Sequence, residues 1–216
     1  MSFFWCTMNY KPIEIIDNLN QGRRIRAFLV EDPDDDYIEA TDKLWQVYRE
    51  RFANAQKVVP EHHHWSWKWK LQQELNRDSL FKCFGIIADD EPQGLMLLNY
   101  GREYLSRMPG QTNRLLIYLS YIESAPWNLE VYSKNPRYAG VGTELYTAAI
   151  HYSNRLGFDG RVALHSLPGI EGYYANKCKM RNCGADQNFE GLVYFESTPE
   201  DSLFFLRETE GNNYAK

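Results

Sequence analysis

Cysteine is scarce in this sequence: Cys6, Cys83, Cys178 and Cys183 are the only four in 216 residues. None belongs to a Cys-x-x-Cys pair, so they suggest no zinc ribbon, and they are expected to be reduced thiols. No apolar run approaches the ~20 residues that cross a bilayer, and no basic segment leads into an apolar one near residue 1. Excess positive charge is also missing. Lys and Arg number 24 against 29 Asp and Glu, a net charge of −5, which disfavours a nucleic-acid backbone and suits a cationic or amine-bearing ligand. There is no internal repeat and no low-complexity linker. These absences predict a soluble, cytoplasmic chain with neither membrane nor nucleic acid as partner, and a single domain over residues 1–216.

What is present is a mixed order of strands and helices. The run "RRIRAFLVED" (Arg23–Asp32) is apolar and β-branched and predicts a first strand, leaving residues 1–22 as an N-terminal extension. The acidic "DPDDDY" then opens a helix, because Ile38, Thr41, Trp45, Tyr48 and Phe52 recur at three- and four-residue steps. Asp34–Asp36 therefore read as a helix cap. They could equally draw a cationic ligand. Trp67, Leu71 and Leu75, four apart, predict a second helix. "LFKCFGIIADDEPQGLMLLNYG" predicts two strands around a turn at Asp89–Gln93, and "NRLLIYLSYIESAPWN" a long strand ending at Pro126. "GRVALHSL", "GLVYFES" and "SLFFLRE" predict further strands, with a short helix at "GIEGYYANKCKM" and a C-terminal strand and tail over 197–216. The three histidines of "HHHW" (His62–Trp65) cannot all face one ion from a regular helix or strand, so no metal site is expected.

The most informative stretch is "NPRYAGVGTELYTAAIHYSNRLG" (Asn135–Gly157). Val141, Leu145, Ala148, Tyr152 and Leu156 form one helical stripe closed by Gly157, so Gly140 and Gly142 lie in the turn entering a helix. Exposed amides and the positive dipole end there favour an anion, and glycine lets a phosphate approach the backbone. A P-loop would need Gly-Lys-Ser/Thr, and a dinucleotide fingerprint a third glycine at Leu145. A structural turn is the alternative for so short a motif.

Arg-x-x-Gly-x-Gly in this context, followed by the Tyr-Tyr pair of "YYANKCKM", resembles the GNAT superfamily of acyl-CoA-dependent N-acyltransferases. The resemblance covers Arg23 to about Glu196. It implies a mixed, mostly antiparallel twisted sheet flanked by helices, with a splay between the fourth and fifth strands. It further implies acetyl-CoA as cosubstrate, held by Arg137, Tyr138, Ala139, Gly140, Val141, Gly142 and Thr143, with backbone donors near the splay from Glu123, Ser124 or Ala125. The reaction would be acetyl transfer to a small-molecule or peptide amine by direct attack; homodimers are common in the superfamily. Three departures stand out: ten residues, "WNLEVYSKNP", between Pro126 and Arg137, then Lys179 and Leu167 at positions where glycine and asparagine are common.

Tyr174 matches the family's tyrosine, the acid for the departing thiolate. With 15 Tyr in the chain, a core or rim aromatic is its alternative reading. Glu123 interrupts an apolar strand just before the splay and is the candidate base; otherwise it faces solvent or pairs with an arginine. His165 or a water chain are the other bases to weigh. Trp65, Trp67 and Trp69 are candidates to line the amine pocket. A chain that kept the cradle without acid and base would be a non-catalytic acyl-CoA sensor or interaction module.

Overall fold

The computed structural model describes residues 9–57 and 66–214. The predicted first strand, Arg23–Glu31, is β2, because β1 (Asn9–Asp17) precedes it and pairs with it antiparallel from Asn9↔Glu31 to Asp17↔Arg23. Part of the expected N-terminal extension is thus sheet. Pro12 and two charged neighbours masked the strand in sequence. They are tolerated because the other neighbour of β1, the two-residue β6 (Tyr138–Ala139), covers only Ile16 and Asp17.

Helix α1 (Asp35–Gln56) starts where the aspartates predict, with the Asp34 carboxylate accepting from Tyr37 N–H at 2.8 Å. Ile38, Thr41 and Trp45 are buried, while Tyr48 and Phe52 pack edge-on against Trp127 and Tyr132. Helix α2 (Trp67–Asn76) is capped by Ser66 and by buried Asp42, which accepts from the amides of Trp67 (2.7 Å) and Lys68 (2.9 Å). The inward face of α2 differs from the one predicted. Leu75 is 60% exposed, and the buried stripe is Trp67, Lys70 and Glu74. Strands β3 (Phe81–Ala88) and β4 (Glu91–Asn99) meet in a two-residue turn. Asp89 and Asp90 both take left-handed φ there (51° and 60°), a tighter connection than predicted.

The chain divides into two compact units, Met1–Leu97 with Tyr121–Leu145 and Leu98–Ser120 with Tyr146–Lys216; β4, β5 (Ile117–Ser124) and α3 (Val141–Arg155) contribute residues to both. In the first, strands neighbour in the order β6-β1-β2-β3-β4-β5, over a core that includes Val30, Tyr37, Trp45, Trp67, Leu95 and Ala125. Gly94 on β4 admits the first turn of α3. A Cβ at Gly94 would lie 2.6 Å from Val141 Cγ1 and 3.0 Å from Leu145 Cδ1.

In the second unit the order is β5-β7-β9-β8, with β7 (Val162–Ser166), β8 (Arg181–Asp186) and β9 (Leu192–Glu196). The β5/β7 ladder is parallel and lasts two pairs, Ile117↔Val162 and Tyr118↔Ala163, although β5 runs on to Ser124 and β7 to Ser166. This early parting is the expected splay; the strands are fifth and seventh because β1 and β6 were not anticipated. "SLFFLRE" is not a strand. It lies in α4 (Pro199–Tyr214), where Thr198 and Asp201 cap each other, Thr198 N–H and hydroxyl donating to Asp201 Oδ2 (3.1 and 2.8 Å). Ser202, Phe205 and Leu206 then face inward at helical spacing, leaving Leu203 and Phe204 half exposed.

Gly94→Ala is expected to displace the first turn of α3 and cost about 1–3 kcal/mol through overpacking. Urea denaturation measures this; an unchanged midpoint would mean that Val141 moves aside freely.

Candidate functional site

The unusual length of the segment before Arg137 does not open the loop. Ala125 N–H donates to Gln93 O (2.8 Å), while Trp127 Nε1 and Asn128 Nδ2 both donate to Gln93 Oε1 (2.8 and 3.0 Å). At the far end Arg137 N–H returns to Trp127 O (3.1 Å) and Tyr138 N–H to Asn128 Oδ1 (2.9 Å). The insert is therefore a closed excursion whose two ends are stitched together before α3 begins.

These bonds also redistribute the expected roles. The amides of Ala125, Arg137 and Tyr138 donate to Gln93 O, Trp127 O and Asn128 Oδ1, respectively. The Arg137 guanidinium pairs with Asp89 (2.7 Å) and reaches Glu91 (3.8 Å), and the Tyr138 hydroxyl donates to Asp89 at 2.5 Å. Burial, with Asp89 beside it, pushes that hydroxyl well above the ordinary tyrosine range. Ala139 pairs with Ile16 in β6. What is left for an anion is Gly140–Thr143. Gly140 sits at φ +91°, and a Cβ there would meet nothing within 4 Å, so this backbone faces open space. The first intrahelical bond of α3 is Glu144 N–H to Gly140 O (2.9 Å), which leaves the amides of Val141, Gly142 and Thr143 ahead of it. Gly142 belongs to the first turn of the helix, not to the loop before it. An acid, Glu144, shares that turn.

Glu123 is enclosed by donors. Its Oε1 is bonded to Arg49 of α1, and its Oε2 accepts from Trp67 Nε1 at 2.8 Å with Lys70 Nζ at 3.6 Å. The side chains of Arg49, Lys70 and Glu123 are 2%, 3% and 9% exposed. Glu123 thus pairs with an arginine, one of the arrangements open from sequence. Burial lowers Lys70 to about 8, although Glu123 pulls the other way. Arg49 and Lys70 went unnoticed in sequence. Their signal was a cation four residues after Trp45 and another three after Trp67, each within a buried stripe. Ser124, the last residue of β5, is half-buried, and Trp69 is 59% exposed; Trp65 and the histidine run lie outside the described residues.

In the second unit, Tyr174 is the second residue of a π-helical turn (Tyr173–Lys177) and is 5% exposed, its ring against Tyr173 and Phe195. Burial raises its hydroxyl well above the usual tyrosine range. His165 is enclosed as well. Its Nδ1 meets the Tyr118 hydroxyl at 2.7 Å, its Nε2 meets Asp186 at 3.1 Å, and Phe189 stacks on the ring at 3.9 Å. Arg107 holds Asp186 down to about 2, and burial lowers His165. A simply hydrogen-bonded histidine is what the structure holds. Among the described residues no group of His, Cys, Asp or Glu is arranged to hold a metal, no helix is long and apolar enough to cross a membrane, and Cys83, Cys178 and Cys183 are free thiols.

No protein-family model and no curated protein matches the chain. Solved structures do. FeeM, an N-acyl amino acid synthase from uncultured soil microbes, aligns at 10% identity over 82% of this chain and 94% of its own, with a TM-score of 0.51. A protein described as a GNAT-family acetyltransferase from Desulfovibrio desulfuricans aligns at 12% identity over 80% and 99%, TM-score 0.49. The PaiA N-acetyltransferase of Thermoplasma acidophilum, in complex with coenzyme A, aligns at 15% over 79% and 98%, TM-score 0.46. At 10% identity the likeness to FeeM shows the fold alone.

Two predictions follow from the buried charges. Glu123→Ala leaves Arg49 and Lys70 uncompensated and is expected to cost about 3–5 kcal/mol in chemical denaturation, with Glu123→Gln costing less; equal, small losses would show the cluster to be solvated. Acid should weaken the second unit. Below about pH 6.5 an unfolded histidine takes up a proton that folded His165 resists, so stability falls as pH drops there, and the Asp186 contribution, full above the ordinary carboxylate range, is lost toward pH 2. In His165→Asn the limb near pH 6 should flatten; an unaltered profile would place it elsewhere.

Proposed function

We propose that the protein is an N-acetyltransferase that moves an acetyl group from acetyl-CoA to a primary amine by direct attack in a ternary complex. The observation that carries this reading is Gly140–Thr143. A glycine in a left-handed conformation faces open space, followed by three helix-initial amides, on a GNAT fold. Such amides suit a pyrophosphate, and the open space where a Cβ would stand gives one room to approach. Acetyl-CoA supplies the electrophilic thioester and its thiolate leaving group.

The remaining work falls to side chains. Tyr174, kept protonated by burial, is the acid in this reading, and Glu123 is the base, with its Oε2 the atom that accepts the amine proton. Ser124 and the end of β5 are where a donor to the carbonyl is sought. The acidic charge of the chain suits a small or peptide amine as acceptor.

One observation favours a second reading, a non-catalytic acyl-CoA-binding module. Both Glu123 oxygens are already engaged, as in a purely structural ion cluster. The two readings share the cradle and part at turnover.

Calorimetric titration with acetyl-CoA, CoA and dephospho-CoA is expected to show binding that Gly142→Trp weakens by about 100-fold, with its circular dichroism unchanged. Normal binding by that variant would remove the cradle. Tyr174→Phe should slow release of free CoA thiol by about 100-fold at unaltered affinity; undiminished turnover would return Tyr174 to the core, and binding without any turnover would favour the module.

A further inference from the structure

The face where α1, α2 and β5 meet holds an ionisable group, Lys70, that the reaction above does not use. Lys70 Nζ lies 4.4 Å from the centroid of the Trp67 ring, 5.0 Å from that of Tyr121 and 3.6 Å from Glu123 Oε2. The charged groups acting on it are Arg49 and Asp42 from α1 and Glu123 from β5, while Glu74 of α2 and Arg77 just after it act on neighbouring Tyr121. Tyr132 of the insert faces Arg49. Arg49 is a permanent cation. Lys70 can lose its proton, and burial makes that loss easier.

The charge arithmetic of the cluster follows from this. With both cations charged, each Glu123 oxygen has a cation of its own and the trio carries +1. With Lys70 neutral, Glu123 and Arg49 form a balanced pair, and Oε2 keeps only the Trp67 indole N–H. A carboxylate flanked on both sides by cations is a poor proton acceptor, and one cation fewer makes it a better one.

We propose that Lys70 is a positioning residue for the transfer reaction: its ammonium locks the Glu123 carboxylate, and its deprotonation frees Oε2 to take the proton of the attacking amine. This deepens the acyl-transfer reading and rests on it. The acceptor nitrogen forms the C–N bond as the thioester C–S bond breaks, and the proton it loses goes to Oε2. Neutral Lys70 Nζ then takes that proton and later yields it to solvent, while the thiolate leaves as thiol with the proton of Tyr174, which solvent restores. The charge state of one lysine thereby gates the base.

Two measurements test it. The first needs no ligand: protein labelled with ¹³Cε-lysine is titrated by NMR, with the Lys70 signal assigned by its loss in Lys70→Met. A midpoint near 8, moving further down in Glu123→Gln, is expected. Titration alongside the exposed lysines, or indifference to Glu123→Gln, overturns the coupling. The second is the pH dependence of kcat/KM. Wild type should gain about tenfold per pH unit below the Lys70 midpoint. Lys70→Arg, locked at every pH, and Lys70→Met, never locked, should both lose that limb while the acceptor's own titration persists. A limb that survives both substitutions overturns the gate. Loss of CoA binding in wild type would instead sink the acyl-transfer reading, and the NMR titration would still judge the Lys70–Glu123 coupling.

Discussion

A carboxylate at the inner face of a sheet is untenable unless cations or hydrogen-bond donors reach it, and Glu123 organises its surroundings for that reason. Arg49 is drawn in from α1, Lys70 and the Trp67 indole from α2. Removing the carboxylate would leave two buried cations without a counter-charge, which costs far more than the cluster itself contributes. The face of α2 is therefore chosen by electrostatics: Lys70 and Glu74 turn inward and Leu75 faces water. Asp42 reinforces the choice by accepting from the first amides of α2, fixing where that helix starts.

The approach to α3 obeys a second constraint, the satisfaction of backbone groups in a long insert. Gln93 supplies both a main-chain and a side-chain oxygen to the start of the insert, and Trp127 O receives the Arg137 amide at its end. Gly94, next to Gln93, removes the side chain that would hold α3 off the sheet. Two adjacent residues of β4 thus serve the entry to the candidate cradle, one by bonding and one by being small. The cost is that several amides of this stretch are used up, leaving those of Val141, Gly142 and Thr143 ahead of the first bond of α3.

The second unit solves a related problem with a different buried acid. Glu196, wholly buried at the end of β9, accepts from the Ser106 hydroxyl (2.5 Å), the Arg107 amide (2.6 Å), Gln111 (3.0 Å) and the Tyr194 hydroxyl (2.8 Å). Here neutral donors replace cations and tie the loop before β5 to the sheet. His165, Tyr118, Asp186 and Arg107 form a neighbouring chain of the same kind, ringed by Tyr104, Phe189 and Tyr194. A histidine so enclosed is held by its partners, which is why it reads as structure.

Local chemistry was legible in the residues. Aspartates followed by a three-to-four spacing determined α1, the apolar runs determined β2, β4, β5, β7 and β9, and Arg-x-x-Gly-x-Gly before an amphipathic stripe determined α3 and its glycine entry. Such signals depend only on neighbours in the chain. Other features are decided by contacts far apart in sequence. β1 became a strand despite Pro12 because β2 offered it nine partners, and β8 because β9 did. "SLFFLRE" became helix because the Thr198–Asp201 cap outweighed β-prone phenylalanines. Only tertiary structure could bring Arg49, Lys70 and Trp67 onto Glu123, since a charge on a helix face carries no mark of its partner until the chain has folded around both.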